Sequence, residues 1–189
     1  MNANRSSKYE HFSQVSSEGY FAQLLTLYPI EWLRLPLLKG LATSAVAGSE
    51  GLVRATRSAL IQFINSHEPV QRQAVLHTIL QDLVTILTET IQDDRYAIPT
   101  VDFMAFVIDS YAIASSDKAD PIFRKVFVIV QKSHLRSSNI ARIEAAVQVY
   151  AALSRLESLR ADTLRKLTGL LLHPFPRVSQ HCLNYFFRY

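Results

Sequence analysis

At 189 residues the chain suits one domain of ordinary size, long enough to bury a continuous core without disulfide or metal staples. Its composition, 49% hydrophobic with 19% charged residues and five glycines, excludes the disordered class, and no apolar run approaches the ~18 residues of a membrane span. A lone Cys182 excludes an internal disulfide and a cysteine metal cage. The net charge of +4 hides an asymmetry, because residues 118–189 carry 12 basic against 4 acidic residues, and such a block attracts acidic partners, whether nucleic acid, anionic lipid or a protein surface.

Residues 1–17 are polar, serine-rich and without period, and read as a flexible leader lacking the hydrophobic segment of a signal peptide. A reducing, cytoplasmic setting is therefore expected. Ser17 caps a first helix over 18–28 with Phe21, Leu24, Leu25 and Tyr28 on one side, and Pro29 ends it. Pro36 should kink or divide the next helix after Leu33, because proline cannot donate to the preceding turn. The stretch 28–64 then forms a helical hairpin. Leu37, Leu38, Leu41 and Ala45 share one face, Val53, Leu60 and Ile64 another, and the join lies at Ala47-Gly48-Ser49. Gly48 suits a left-handed helix end and Ser49 a side-chain cap. Trp32 and Tyr28, beside a proline break, read as core or hinge packing.

Pro69 opens the clearest helix, running to about Ile91. Gln92-Asp93-Asp94-Arg95 reads as a loop, and Pro99 as the start of a core helix over 100–115 with Val101, Phe103, Met104, Val107 and Ile108. After a second loop at 115–118, Asp120-Pro121 caps a helix through VFVIV at 126–130. That run is β-branched, but it lacks a second strand to pair with. Ser137-Ser138-Asn139 caps a helix over 140–156, and two shorter ones follow, 159–172 and one from Pro176. Helix pairs recurring every 40 or so residues predict an all-α HEAT/armadillo-like α-solenoid of antiparallel hairpins, in one domain over 18–189. An irregular bundle is the alternative.

No phosphate-binding loop, HExxH, GxSxG or carboxylate pair framed by a histidine occurs, so neither enzymatic activity nor a cofactor is expected. The six histidines lack metal-ligand spacing, and Asp93-Asp94 alone is too sparse for a cation. Arg54 and Arg57 on the second hairpin helix, and the denser group Arg155, Arg160, Arg165, Lys166 and Arg177, are the candidate partner-binding residues, because guanidinium groups grip carboxylates bidentately. Solvated helix faces carry the same charges without function.

Two motifs frame this reading. Leu37-Leu38-Lys39-Gly40-Leu41, Ser44, Gly48, Gly51-Leu52-Val53 and Ser58-Ala59-Leu60 form the first, and Leu170-Leu171-Leu172-His173-Pro174-Phe175-Pro176 the second. In order and separation they resemble the C-terminal domain of the tubulin-folding cofactor D family, the tubulin-specific chaperones D. Where that family has adjacent glycines, this chain has Ala47-Gly48-Ser49-Glu50-Gly51, and residues 66–138 offer no residue-by-residue match. The resemblance implies the C-terminal piece of a longer cytoplasmic chaperone, associated with microtubules and the cytoskeleton, that binds β-tubulin. It also implies cofactors C and E and an Arf-like small GTPase as partners in assembling and taking apart the αβ-tubulin heterodimer. A piece of a longer solenoid should expose apolar side chains at its first helix, around Phe21, Leu24 and Leu25. The competing reading is a helical-repeat module that binds nucleic acid or another acidic partner through the basic C-terminal end, for which that block is the support.

Overall fold

The computed structural model describes residues 18–112 and 121–186, and every element among them is helical. A first helix, α1, covers 18–25. It is followed by α2 (Glu31–Ala47), α3 (Glu50–Asn65), α4 (Pro69–Thr90), α5 (Asp94–Ala112), α6 (Pro121–His134), α7 (Ile140–Leu153), α8 (Glu157–Leu171) and α9 (Pro176–Phe186). The VFVIV run lies inside α6, with Val126, Phe127 and Val130 buried. The expected caps at Ser17 and Asp120, the leader and the 115–118 loop fall outside the described residues.

Two compact units divide within α4, between Leu83 and Val84. In the first, α2 packs on α3 through Leu38, Leu41, Ala42 and Ala45 facing Ala55, Ala59 and Leu60. Four expectations for this unit need correcting. The first helix stops at residue 25 and 26–29 form turns. Leu25 is buried, leaving Tyr20, Leu24, Leu27 and Ile30 as the exposed apolar side chains there. Trp32 is 76% exposed and packs no core. Pro36 sits inside an unbroken α2. The carbonyl it deprives of a donor belongs to Trp32, four residues back on the exposed first turn, where water can replace the lost bond.

Gly48 is also needed for a different reason. Its backbone is extended (φ −77°, ψ 176°), and Ser49 makes no side-chain cap. A Cβ at Gly48 would lie 2.7 Å from the Ser44 carbonyl oxygen and 2.8 Å from Leu52 Cδ2. Only hydrogen fits between the two helices at this join, so close approach, not left-handed backbone, selects glycine.

In the second unit α7 is the central helix, packed against α5, α6, α8 and α9. Ten of its fourteen residues are buried. Small Ala145, Ala146, Ala151 and Ala152 let neighbours close in, while Val147, Val149 and Tyr150 fill the space between. α5 begins five residues before the expected Pro99 start plus a loop, because Asp93 caps it: its Oδ1 accepts from Arg95 N–H at 3.0 Å and its carbonyl from Ala97 N–H at 2.8 Å. Pro99, like Pro36, is the sixth helical residue, and the carbonyl it frees, on Arg95, is at the surface. The expected Asn139 cap is present, accepting from Ala141 N–H at 3.0 Å. α8 and α9 are separate helices, with Pro174 between them and Pro176 the first residue of α9. Cys182 is buried, and burial pushes its thiol up to about 11, so it is an unreactive core residue.

Candidate partner-binding surfaces

The corner where α6 turns into α7 is built on one buried cation. Arg142 is 8% exposed. Its Nε donates to Asp94 Oδ1 at 2.6 Å, and Nη1 donates to the Ile91 and Ser133 carbonyls at 2.7 and 2.8 Å. Asn139 Nδ2 completes the set on Asp94 Oδ2 at 2.7 Å. One guanidinium thereby ties the ends of α4 and α6 to the starts of α5 and α7, a fixed frame for the 135–139 turn. Within that turn Arg136 has φ 64°, a conformation that favours glycine or asparagine. The turn closes through Ser137 N–H on the His134 carbonyl at 3.0 Å. Beside it opens a polar cavity of about 330 Å³, lined by Gln92, Asp94, Lys132, Ser133, Arg136 and Ser138 among others.

The outer face of α6 leads away from this corner. Arg124, Lys125, Val128 and Lys132 recur at helical spacing and are exposed, opposite the buried Ile122, Phe123, Val126 and Val130. Arg124 pairs with Asp162 and covers the Phe127 ring, whose centroid is 5.3 Å away. The Asp162 carboxyl is held below the usual carboxylate range, first by its hydrogen bond from Arg124. A shallow apolar cavity of about 410 Å³ runs along this face between Pro121 and Lys132.

The residues singled out from sequence are distributed unevenly. Arg155 and Arg160 come together at a pocket of about 430 Å³ whose floor is Ala151, Leu164, Leu167 and Tyr185. Arg155 Nη1 stands 3.0 Å from Asp109 Oδ1, and Arg160 Nε donates to the Ser154 carbonyl at 3.2 Å. Burial raises the Asp109 pKa against the opposing pull of Arg155. Arg165 lies 3.5 Å from Asp162, and Arg177 Nε lies 2.7 Å from Glu144 Oε1. Lys166 is half-buried on α8 and acts electrostatically on His134. In the first unit Arg54 pairs with Glu50, and Arg57 Nε donates to the Ala45 carbonyl at 3.2 Å. Most of these groups thus have intramolecular partners.

Sequence reasoning missed Arg142 and the α6 cations, and read Asp94 as a loop residue where the structure makes it the partner of Arg142. The signal for Arg142 was an arginine in a helix, IARIEAAVQVYAAL, that is apolar apart from Glu144 and Gln148. His134 was also passed over. Its Nε2 is 2.7 Å from Tyr150 Oη, and burial, with Lys166 adding to it, pushes the imidazole down to about 4. Among the described residues no three histidine, cysteine or carboxylate side chains cluster as a metal site, and no helix is long and apolar enough to cross a membrane.

The family description "tubulin folding cofactor D C terminal" matches residues 3–142. This chain belongs to that family. The match spans the middle, 66–138, where no motif was readable, whereas the His-Pro-Phe-Pro motif at 173–176 lies beyond it. No curated protein and no solved structure matches the chain. Membership assigns it a tubulin folding cofactor D role, in a family of chaperones.

Proposed function

We propose that this chain is a non-catalytic, tubulin-handling domain. It binds β-tubulin and works in the cytoplasm with cofactors C and E and an Arf-like GTPase while the αβ heterodimer is assembled or taken apart. The observation that carries the reading is the family match over residues 3–142. On this reading the helices form one HEAT/armadillo-like domain over 18–189, and its basic C-terminal part steers an acidic partner toward the pocket at Arg155 and Arg160. A nucleic-acid role draws no support from the aromatic side chains, since Tyr185 lines that pocket among apolar groups without forming a stacking platform.

The test is charge reversal of the exposed Arg160 and Arg165, leaving the half-buried Lys166 intact. With tubulin dimer as ligand, the association rate should fall about tenfold while the dissociation rate changes far less, because charges at the edge of an interface mainly steer encounter. An unchanged association rate at low salt would remove the basic end from recognition. Tighter binding to mixed nucleic acid than to tubulin would replace the reading altogether.

A further inference from the structure

We propose that the outer face of α6, continued through the 135–136 turn, is a docking surface for an acidic amphipathic helix of a partner protein. The inference goes beyond the tubulin reading and does not depend on it. Most arginines in this molecule are satisfied internally, yet among the described residues the side chains of Lys125, Lys132 and Arg136, like those of Arg95 and Lys166 elsewhere, have neither a hydrogen bond nor an ion pair. Lys125, Lys132 and Arg136 lie along this one side of the unit, Lys125 and Lys132 seven residues apart, about 10 Å at helical rise, with Arg136 in the turn just beyond the end of α6. Aliphatic side chains alternate with them. Val128 is 38% exposed and Leu135 63%, and the 410 Å³ and 330 Å³ cavities on either side share Lys132.

Each property of the face selects the occupant. Unpaired cations flanking an aliphatic seam match a helix with carboxylates at its edges and leucine-like residues along its centre. A peptide bound by strand addition would need a sheet edge, which the described residues do not supply. Single-stranded nucleic acid would favour stacking surfaces, and no aromatic side chain is exposed on this face, where Phe123 and Phe127 are buried. The Arg136 backbone adds an independent observation. A non-glycine residue in the left-handed region is strained, and here the strained residue presents a free guanidinium at the end of the face. Folding alone would be better served by glycine at this backbone conformation.

The experiment uses the full 189-residue chain and a fluorescent sixteen-residue helical peptide with glutamates at positions 2, 9 and 13 and leucines at 5, 6 and 12. Its comparators are a peptide of the same composition in scrambled order and a single-stranded oligonucleotide. Binding should be at least tenfold tighter for the ordered peptide than for the scrambled one. Lys125→Glu combined with Lys132→Glu should abolish that preference, since both residues are exposed and the fold should tolerate the change. Arg136→Gly should weaken peptide binding about threefold while melting at the same or a higher temperature, a combination that a merely structural arginine would not produce. Equal binding of ordered and scrambled peptides, no binding of either, displacement by the oligonucleotide, or insensitivity to the double reversal would each overturn the proposal.

Discussion

Among the described residues each unit buries one charged side chain, and the two have opposite signs. In the first it is an anion: Asp82 on α4 is 3% exposed, accepts from Tyr28 Oη at 2.8 Å and lies 2.7 Å from Arg34 Nε. That Arg34 N–H is not aligned as a hydrogen bond, so the guanidinium acts as a nearby charge. In the second unit it is a cation, Arg142, whose Asp94 partner is half exposed and whose other contacts are two backbone carbonyls. A buried anion with a solvent-reaching partner anchors one helix and the chain before it. A buried guanidinium, with five donors in a fork, holds four helix ends at once. Removing the buried member should therefore be more damaging in the second unit than removing any single partner in the first.

The largest effect is expected from Arg142→Ala, which orphans the Ile91 and Ser133 carbonyls and frees Asp94. A loss of about 3 to 4 kcal/mol in unfolding free energy follows from the usual penalty for breaking a buried charged network. Asp94→Ala should lose about half as much, because Arg142 keeps both carbonyls. Denaturant titration of the two variants checks the ratio, and equal losses would mean that the carboxylate, not the cation, organises the corner.

Acid should separate the units next. His134 is held neutral by burial, with a folded pKa of about 4 against 6.5 when unfolded. Its contribution is therefore complete above pH 6.5, declines as the unfolded state takes up the proton below that, and is gone by about pH 4. The decline is on the order of 3 kcal/mol. His181, lowered by its own burial, acts in the same direction and in the same unit. Hydrogen exchange at α7 should accelerate through that window, and His134→Gln should flatten the dependence.

How much of this was legible follows from which physical signal each feature leaves. Helix positions were readable because periodicity and prolines report them locally, as at Pro69, Asn139 and Pro176. Pro36 and Pro99 misled because the cost of an internal proline depends on where the freed carbonyl points, which no local pattern reports. The candidate site was less legible. Counting charges identified a basic end, but whether an arginine is free depends on carboxylates far along the chain. Asp162 lies 38 residues from Arg124, and Glu144 lies 33 residues from Arg177. Lys125 and Lys132, by contrast, drew no notice because the α6 cations are spread along a largely apolar helix.

Gly48→Ala sharpens the comparison from the side of packing. The first unit relies on close approach at the α2–α3 join as well as on its buried anion. A methyl 2.7 Å from the Ser44 carbonyl oxygen must displace backbone. The expected loss is about 2 kcal/mol, within the range for overpacked sites. A neutral result in thermal denaturation would show that the join can open without strain.

The smallest expected effect is Tyr28→Phe, and it tests the anion directly. The hydroxyl is buried and its pKa is raised, first by burial and then by its hydrogen bond to Asp82, so it remains a donor across the working pH range. Phenylalanine keeps the ring and its edge contact with Phe63, at a centroid distance of 6.1 Å, and removes only that donor. Asp82 would then keep the Arg34 charge without an aligned hydrogen bond. A loss of about 1 to 1.5 kcal/mol is expected, the usual worth of a hydrogen bond to a charged acceptor at the low end of its range. Combining Tyr28→Phe with Asp82→Asn makes a cycle whose coupling measures the bond itself. Coupling near zero would mean that Arg34 alone holds Asp82, and the two units would then share one rule: a buried charge kept in place by its opposite charge, with neutral partners incidental.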